Sequence, residues 1–324
     1  MQRYEGMRSI QVSQPQLRLE LVGYFDPATP QQIDRPDLEL HSYRSLEDLI
    51  KESPDLLFVS TPHDAVMDTC RIALTAGVRV HVEKPLGRNL SESQQLHDLD
   101  TNRESLTIGF NYRFFRGVEQ FLLDIKNGLF GDVISVEMTL AHGGSPSDQS
   151  SWKLDPIYAG GGSLLDPGVH LLDLCLQIAP DLQLLNATNW KGFWNTGIEE
   201  EVGVTFKSKH IPSIVLKSSI VRWRSEFSLR VNGTDGYGHV QGRGRSYGIQ
   251  TYVRGNRWGW ANGVSQIDSE ELVCTDPCTD SFLREMTQLL LPSSFSPKVA
   301  TSADGLLVMS FVDEIYSMMN NSVA

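Results

Sequence analysis

The chain has 324 residues, 40% hydrophobic and 21% charged, with a formal net charge of −12. That length and balance suffice for two modest domains with substantial cores, and they exclude disordered and collagen-like classes. The acidic surplus repels polyanions, no stretch clusters basic and aromatic residues as nucleic-acid surfaces do, and no apolar run reaches the roughly 20 residues of a membrane span. With no signal pattern at its N-terminus, the chain is expected to be cytoplasmic and to act on a small molecule.

In chain order, Met1, Tyr4, Met7 and Ile10 recur at helical spacing and stop at Gln14-Pro15, predicting a helix. LELVGYFD, from residue 19, predicts a strand ending in an acidic residue and a turn. SLEDLI begins with Ser45 and Asp48 in the S-x-x-D pattern of a helix start. DLLFVSTP reads as a strand of the fully buried parallel kind, and DAVMDTCRIALTAG as an amphipathic helix closed by Gly77. A strand (VRVHVEKP), a helix (SESQQLHDLDTN) and a strand (LTIGFNYRF) follow. This alternation predicts an α/β domain over 1–114 built on a doubly wound parallel sheet.

From residue 115 the pattern changes. A helix (VEQFLLDIKNG), a strand (DVISVEMTLAHG), a loop with SWKLDP and Gly160 to Gly162, and a helix (SLLDPGVHLLDLCLQI) lead into alternating segments. These, VGVTFKS, SIVLKSSIVRW, FSLRVNGT and YGIQTYVRG, predict a large open, mostly antiparallel sheet in an α+β domain over 115–324. GRGRSYG, residues 242–248, reads as turn chemistry because no helix follows it. The closing helices, DSFLREMTQLLL and SADGLLVMSFVDEIYSMM, are expected to pack back on the first domain.

Ligands of open α/β sheets gather at the C-terminal ends of the strands, which singles out Asp26, Ser60, Thr61, Pro62, His63, Glu83, Lys84 and the segment Asn111 to Arg113. Lys84 ends an apolar strand and precedes Pro85, so it can offer a fixed positive charge to a bound oxygen; the alternative is an ordinary solvated lysine. Asp166 and His170 are four apart, on one face of a helix that Ser163 and Asp166 start. A carboxylate there can orient an imidazole as a general base; the alternative is a capping acid and a packed core histidine. Cys70, Cys175, Cys274 and Cys278 include no second Cys or His pair at zinc spacing, so no metal is expected.

The strings VSTPHDAVMDTCRIALTAGVRVHVEKPLGRNLSESQQL, IGFNYRF, NGLFGDVISVE and GGGSLLDPGVHLLDL, in that order, resemble the Gfo/Idh/MocA family of glucose-fructose oxidoreductase, inositol dehydrogenase and the rhizopine-catabolism protein. The resemblance implies a Rossmann-type first domain and hydride transfer between nicotinamide and a hydroxyl-bearing carbon of a sugar, cyclitol or nucleotide-sugar. It implies a catalytic set of Lys84, Asp166 and His170, with His170 taking the hydroxyl proton, Lys84 bonding the same oxygen and Asp166 holding substrate or orienting His170. Asp26 would bind the adenosine ribose, and its charge, with no arginine in PATPQQ, implies NAD rather than NADP. Ser60, Thr61, Pro62 and His63 would line the dinucleotide, Glu83, Lys84 and Asn111 the nicotinamide end, and Arg113 and Trp152 the substrate pocket, unless Trp152 is plain core. A homo-oligomer joined through the open sheet is also implied.

The family's first strand and G-x-G-x-x-G turn do not precede LELVGYFD in this chain. The expectation is a polypeptide that begins upstream; two other readings stay open, a noncatalytic binding or scaffold homologue and a hydrolase or lyase using Asp166 and His170 without NAD.

Overall fold

A computed structural model describes residue 10 and residues 19–27, 41–146, 148, 151–263, 265, 270–294 and 297–321. Of the helix predicted at the start, only Ile10 is among them. It is helical and buried, and it joins Met286 and Leu289 in a small apolar cluster over Leu56 and Phe58.

The first part of the chain alternates as its hydrophobic pattern dictates. Helix α1 (Leu46–Lys51) starts where Ser45 Oγ accepts the Asp48 N–H at 3.1 Å. Strand β1 (Leu56–Val59), α2 (His63–Thr75), β2 (Arg79–Glu83), α3 (Leu90–Leu99) and β3 (Leu106–Gly109) follow. The three strands are parallel, with Leu57 opposite Val80 and Val80 opposite Leu106. A short strand from the far end of the chain, β12 (Ala300–Thr301), adds antiparallel to β3. The sheet order is β1-β2-β3-β12.

Two expectations need correction. LELVGYFD makes no strand but one parallel bridge, Tyr24 to Ser42, because among the described residues only residues 41–43 run beside it. Nor is β1 fully buried: Leu56, Leu57 and Phe58 are half-buried, whereas Val80 and Val82 are sealed. Position explains the difference, since β1 is the outer strand among the described residues and β2 is flanked on both sides.

Helix α4 (Arg116–Lys126) leads into the second sheet. Its strands are β4 (Val133–Ala141), β5 (Gln183–Trp190), β6 (Glu201–Lys207), β7 (Ser213–Ser219), β8 (Glu226–Gly233), β9 (Gly236–Gln241), β10 (Gln250–Asn256) and β11 (Glu271–Asp276). They lie in the order β11-β10-β9-β8-β4-β7-β6-β5, antiparallel except for β4 beside β7. Between β4 and β5 come a short α5 (Pro156–Ala159) and α6 (Val169–Ile178), which packs on β4 and β7. Helix α7 (Ser281–Leu290) precedes β12, and α8 (Ser302–Asn321) then covers α3, α6 and β5, tying the first sheet to the second. No described helix is long and apolar enough to cross a membrane.

Candidate active site

Strand β2 ends at Glu83 and delivers Lys84, whose peptide bond to Pro85 is cis, to the C-terminal edge of the parallel sheet. Opposite it stands the segment before α6. A Cβ at Gly162 would lie 1.9 Å from the Glu199 carbonyl oxygen, and one at Gly161 would lie 2.1 Å from the Tyr316 hydroxyl, so this close approach requires glycine.

Ser163 was expected to cap the helix, and it does not. Its side chain makes no capping bond; instead the buried Glu199 Oε1 accepts the N–H groups of Gly162 and Leu164 and the Tyr316 hydroxyl. Residues Leu164–Gly168 form a π turn rather than an α turn. Pro167 has no N–H to give the Ser163 carbonyl four residues back, so that oxygen accepts from Gly168 N–H at 2.8 Å and from the Ser218 hydroxyl at 2.6 Å. The proline thus widens the helix at the very turn that carries Asp166.

That widening changes the partners of the expected pair. No hydrogen bond joins Asp166 to His170. Lys84 Nζ donates to Asp166 Oδ1 at 2.5 Å and to the Asp166 carbonyl at 2.7 Å, while Lys153 Nζ donates to Oδ2 at 3.0 Å. Burial pushes the Asp166 carboxyl up, but Lys84 and Lys153 outweigh it and hold the group well below the carboxylate range. An ammonium has three N–H donors, and Lys84 gives two to Asp166. One is left for a bound oxygen.

His170 opens α6 on its first turn and is 6% exposed. Its ring stacks on Tyr112 at 3.9 Å and meets Phe110 edge-on at 6.0 Å. Burial first, then the charges of Lys84 and Arg243, hold its pKa well below the usual histidine value, so the imidazole is neutral at ordinary pH. Its Nδ1 is buried without a hydrogen-bond partner. A neutral imidazole without hydrogen bonds, beside a cation with a spare donor, can take a proton from a hydroxyl whose oxygen that cation holds.

The other expected residues divide. Thr61 Oγ1, two residues before α2, is buried with no hydrogen-bond partner, and Pro62, which precedes the helix, gives it no side-chain cap. Ser60 and Asp26 are exposed, and Glu83 is half-buried. The side chain of His63 is committed to other contacts: its Nδ1–H donates to the Ala159 carbonyl at 2.8 Å, and its ring meets Trp152 edge-on. Burial, with Lys84 nearby, lowers its pKa to about 4. Asn111 Nδ2 donates to the Ser281 hydroxyl oxygen at 3.3 Å. Trp152 is half-buried and, with Tyr158 and Thr196, lines a cavity of about 450 Å³, so it is not plain core.

Arg113 does not join this group. It is buried and forks onto Asp173, Nε to Oδ2 at 2.8 Å and Nη2 to Oδ1, with Nη1 on the Lys298 carbonyl. The guanidinium is therefore used inside the protein. Sequence reasoning missed Lys153, Tyr112 as the partner of the His170 ring, and Arg243. Only Lys153 left a signal, its place in SWKLDP just ahead of the glycine run.

Two family models match the chain: an oxidoreductase family with an NAD-binding Rossmann fold over residues 3–110, and the GFO/IDH/MocA C-terminal domain over residues 124–238. The chain belongs to the Gfo/Idh/MocA family. Levoglucosan dehydrogenase of Pseudarthrobacter phenanthrenivorans is 27% identical over 143 residues, 43% of this chain and 37% of that protein. The chain spans 35–60% of the length of the curated relatives it matches. Among solved structures, aldose-aldose oxidoreductase from Caulobacter crescentus superposes with a TM-score of 0.76 at 17% identity, over 98% of this chain and 95% of that one. An inositol dehydrogenase homologue from Azotobacter vinelandii, complexed with NAD+, gives 0.70 at 18% identity, over 86% and 81%. These likenesses agree with the two-sheet fold. The residues at the first sheet's edge fit the dinucleotide that the family model describes, since Thr61 keeps a buried hydroxyl without a partner and α2 presents uncapped N–H groups.

Proposed function

We propose that the chain is an NAD-dependent oxidoreductase acting on a hydroxyl-bearing carbon of a sugar, cyclitol or nucleotide-sugar. The observation that carries this reading is the pairing of Lys84, with a donor to spare, and His170, neutral and unbonded, at the ligand-bearing edge of the parallel sheet. His170 takes the hydroxyl proton, Lys84 holds the oxygen, and Asp166 fixes Lys84 rather than orienting His170. Bound NAD supplies the acceptor for the hydride that leaves the same carbon. Asp26, Ser60, Thr61, the α2 N–H groups that follow Pro62, Glu83 and Asn111 hold the cofactor, and Trp152 lines the substrate side. Asp26 favours NAD over NADP, because a carboxylate repels a 2′-phosphate.

In this reading residues 1–114 form the cofactor domain and residues 115–324 the substrate domain. Leu185 and Trp190 are exposed on β5, an edge strand of the second sheet, and offer a surface for pairing two copies. The test is NADH fluorescence titration together with NAD reduction across sugars, cyclitols and nucleotide-sugars. Cofactor binding with turnover of one class is expected; binding with no turnover of any substrate would sink the reading.

A further inference from the structure

The loop GRGRSYG, between β9 and β10, does more than turn the chain. Gly242 and Gly244 have φ of 76° and 80°, and a Cβ on either would lie within 2.5 Å of a backbone oxygen, Ile249 for the first and Pro277 for the second. The backbone on both sides of Arg243 is therefore pinned. The Arg243 guanidinium lies 3.8 Å from the centre of the Tyr247 ring and 5.4 Å from that of Tyr112, the ring on which His170 stacks.

Its lack of a partner is informative. Among the described arginines that are not exposed, Arg88, Arg113, Arg222, Arg254 and Arg284 each pair with a carboxylate. Among the described residues Arg243 has none, and its Nε is buried without a hydrogen bond. Two aromatic faces hold it in place of an anion. Around His170 three cations, Lys84, Lys153 and Arg243, stand against the single carboxylate Asp166, in a protein whose formal net charge is −12. Positive potential concentrated where the molecule as a whole is acidic selects the sign of what enters.

We propose that the substrate carries an anionic group, a carboxylate or phosphate on the sugar or cyclitol, and that Arg243 binds it. This rests on the oxidoreductase reading for the chemistry at His170 and adds the charge of the substrate. A guanidinium held on aromatic faces presents its fork ready for two parallel N–H···O bonds, which suits either anion.

The experiment is calorimetric titration of the full chain, with NADH present, using D-glucose, D-glucuronate and D-glucose 6-phosphate. One of the two anions should bind about tenfold or more tightly than glucose, and which one does so separates carboxylate from phosphate. Raising salt from about 50 to about 500 mM should erode that preference, because it is electrostatic. Arg243→Gln should shrink the preference to within threefold, and Arg243→Lys should keep part of it. Equal affinity for glucose and both anions, or no binding of either anion, overturns the proposal, as does a preference untouched by Arg243→Gln. If that variant does not fold, a preference insensitive to salt in the unaltered protein overturns it equally. Hydride transfer is read separately: lost turnover with the anion preference intact counts against the oxidoreductase reading alone, and turnover of neutral sugars without the preference counts against this proposal alone.

Discussion

Asp166 and Asp173 lie on one helical run, each bound to a basic side chain delivered by the first sheet, yet the two pairs behave oppositely. Arg113 and Asp173 are 4% and 2% exposed and joined by a two-pronged fork. Burial pushes the Asp173 carboxyl up even against the pull of Arg113. Lys84 and Asp166 are 15% and 20% exposed, a second lysine shares the carboxylate, and Asp166 is held low. The fork uses its donors inside the protein, whereas the lysine keeps one back. The comparison shows why a buried ion pair by itself is weak evidence for a site. A usable donor and an adjacent group able to take a proton are also needed.

The largest expected effect tests the site half of this contrast. His170→Ala should lower turnover by about 10²- to 10⁴-fold, the usual contribution of a positioned base. NADH affinity should change less than threefold, since His170 opens a helix of the second part of the chain. Turnover within threefold of the parent would remove His170 from the mechanism.

The structural half comes next. Arg113→Met alone should destabilise the fold by about 3–5 kcal/mol, because it leaves Asp173 buried without its cation, and Asp173→Leu by less, because Arg113 keeps a longer contact to Asp304 at 3.7 Å. The double variant, with apolar groups on both sides, should recover most of that loss in urea unfolding. If the double variant were as unstable as the singles, the pair would be supplying net stability, and the contrast with Asp166 would lose its basis.

The histidines give a pH dependence of similar size. His63 is lowered to about 4 and His239 to about 4, in both cases chiefly by burial. A histidine whose folded pKa lies below its unfolded value contributes stability that is complete above about pH 6.5 and is lost as pH falls toward the folded value, since the unfolded chain takes the proton first. For His63 that amounts to roughly 3 kcal/mol between about pH 6.5 and pH 4. His63→Asn keeps a donor for the Ala159 carbonyl and cannot titrate, so the fall in unfolding free energy from pH 7 to pH 5 should be visibly smaller. An unchanged slope would mean that His63 is not held neutral.

These contrasts also show what the sequence could convey. Two S-x-x-D starts look alike on paper. Ser45 caps α1, while Ser163 does not cap, because Pro167 one turn on deprives its carbonyl of a donor and Glu199 arrives from another segment to take the free N–H groups. The alternation of β1 to β3 was legible since each helix and strand carries its own period. Lys84 and His170 were legible through strand ends and spacing. Lys153 left only its place ahead of the glycine run, and Arg243 left no signal, as it reaches the site from a loop whose path is fixed by Gly242 and Gly244 and by contacts distant in sequence. Arg113 was misread for the same reason: its place at a strand end is real, but Asp173 comes from a helix sixty residues away.

The smallest effect tests whether Asp166 needs both lysines. The Lys153 side chain is 51% exposed, against 15% for Lys84. An exposed pair contributes little after solvent screening, so Lys153→Met should cost less than about 1 kcal/mol in unfolding free energy. Its charge still reaches inward: it lowers both the Asp166 carboxyl and the His170 imidazole, after the larger influence of Lys84 on each. Removing it therefore raises both pKa values. The acid limb of the pH–rate profile, where His170 gains a proton, should move to higher pH, with kcat/KM at pH 7.5 falling less than tenfold. Lys84→Met should be far more severe, because it removes the donor kept back for the substrate as well as a charge. If the two variants cost the same in kcat/KM, the lysines act as one unit on Asp166 and the spare donor of Lys84 is not what distinguishes this pair from Arg113 and Asp173.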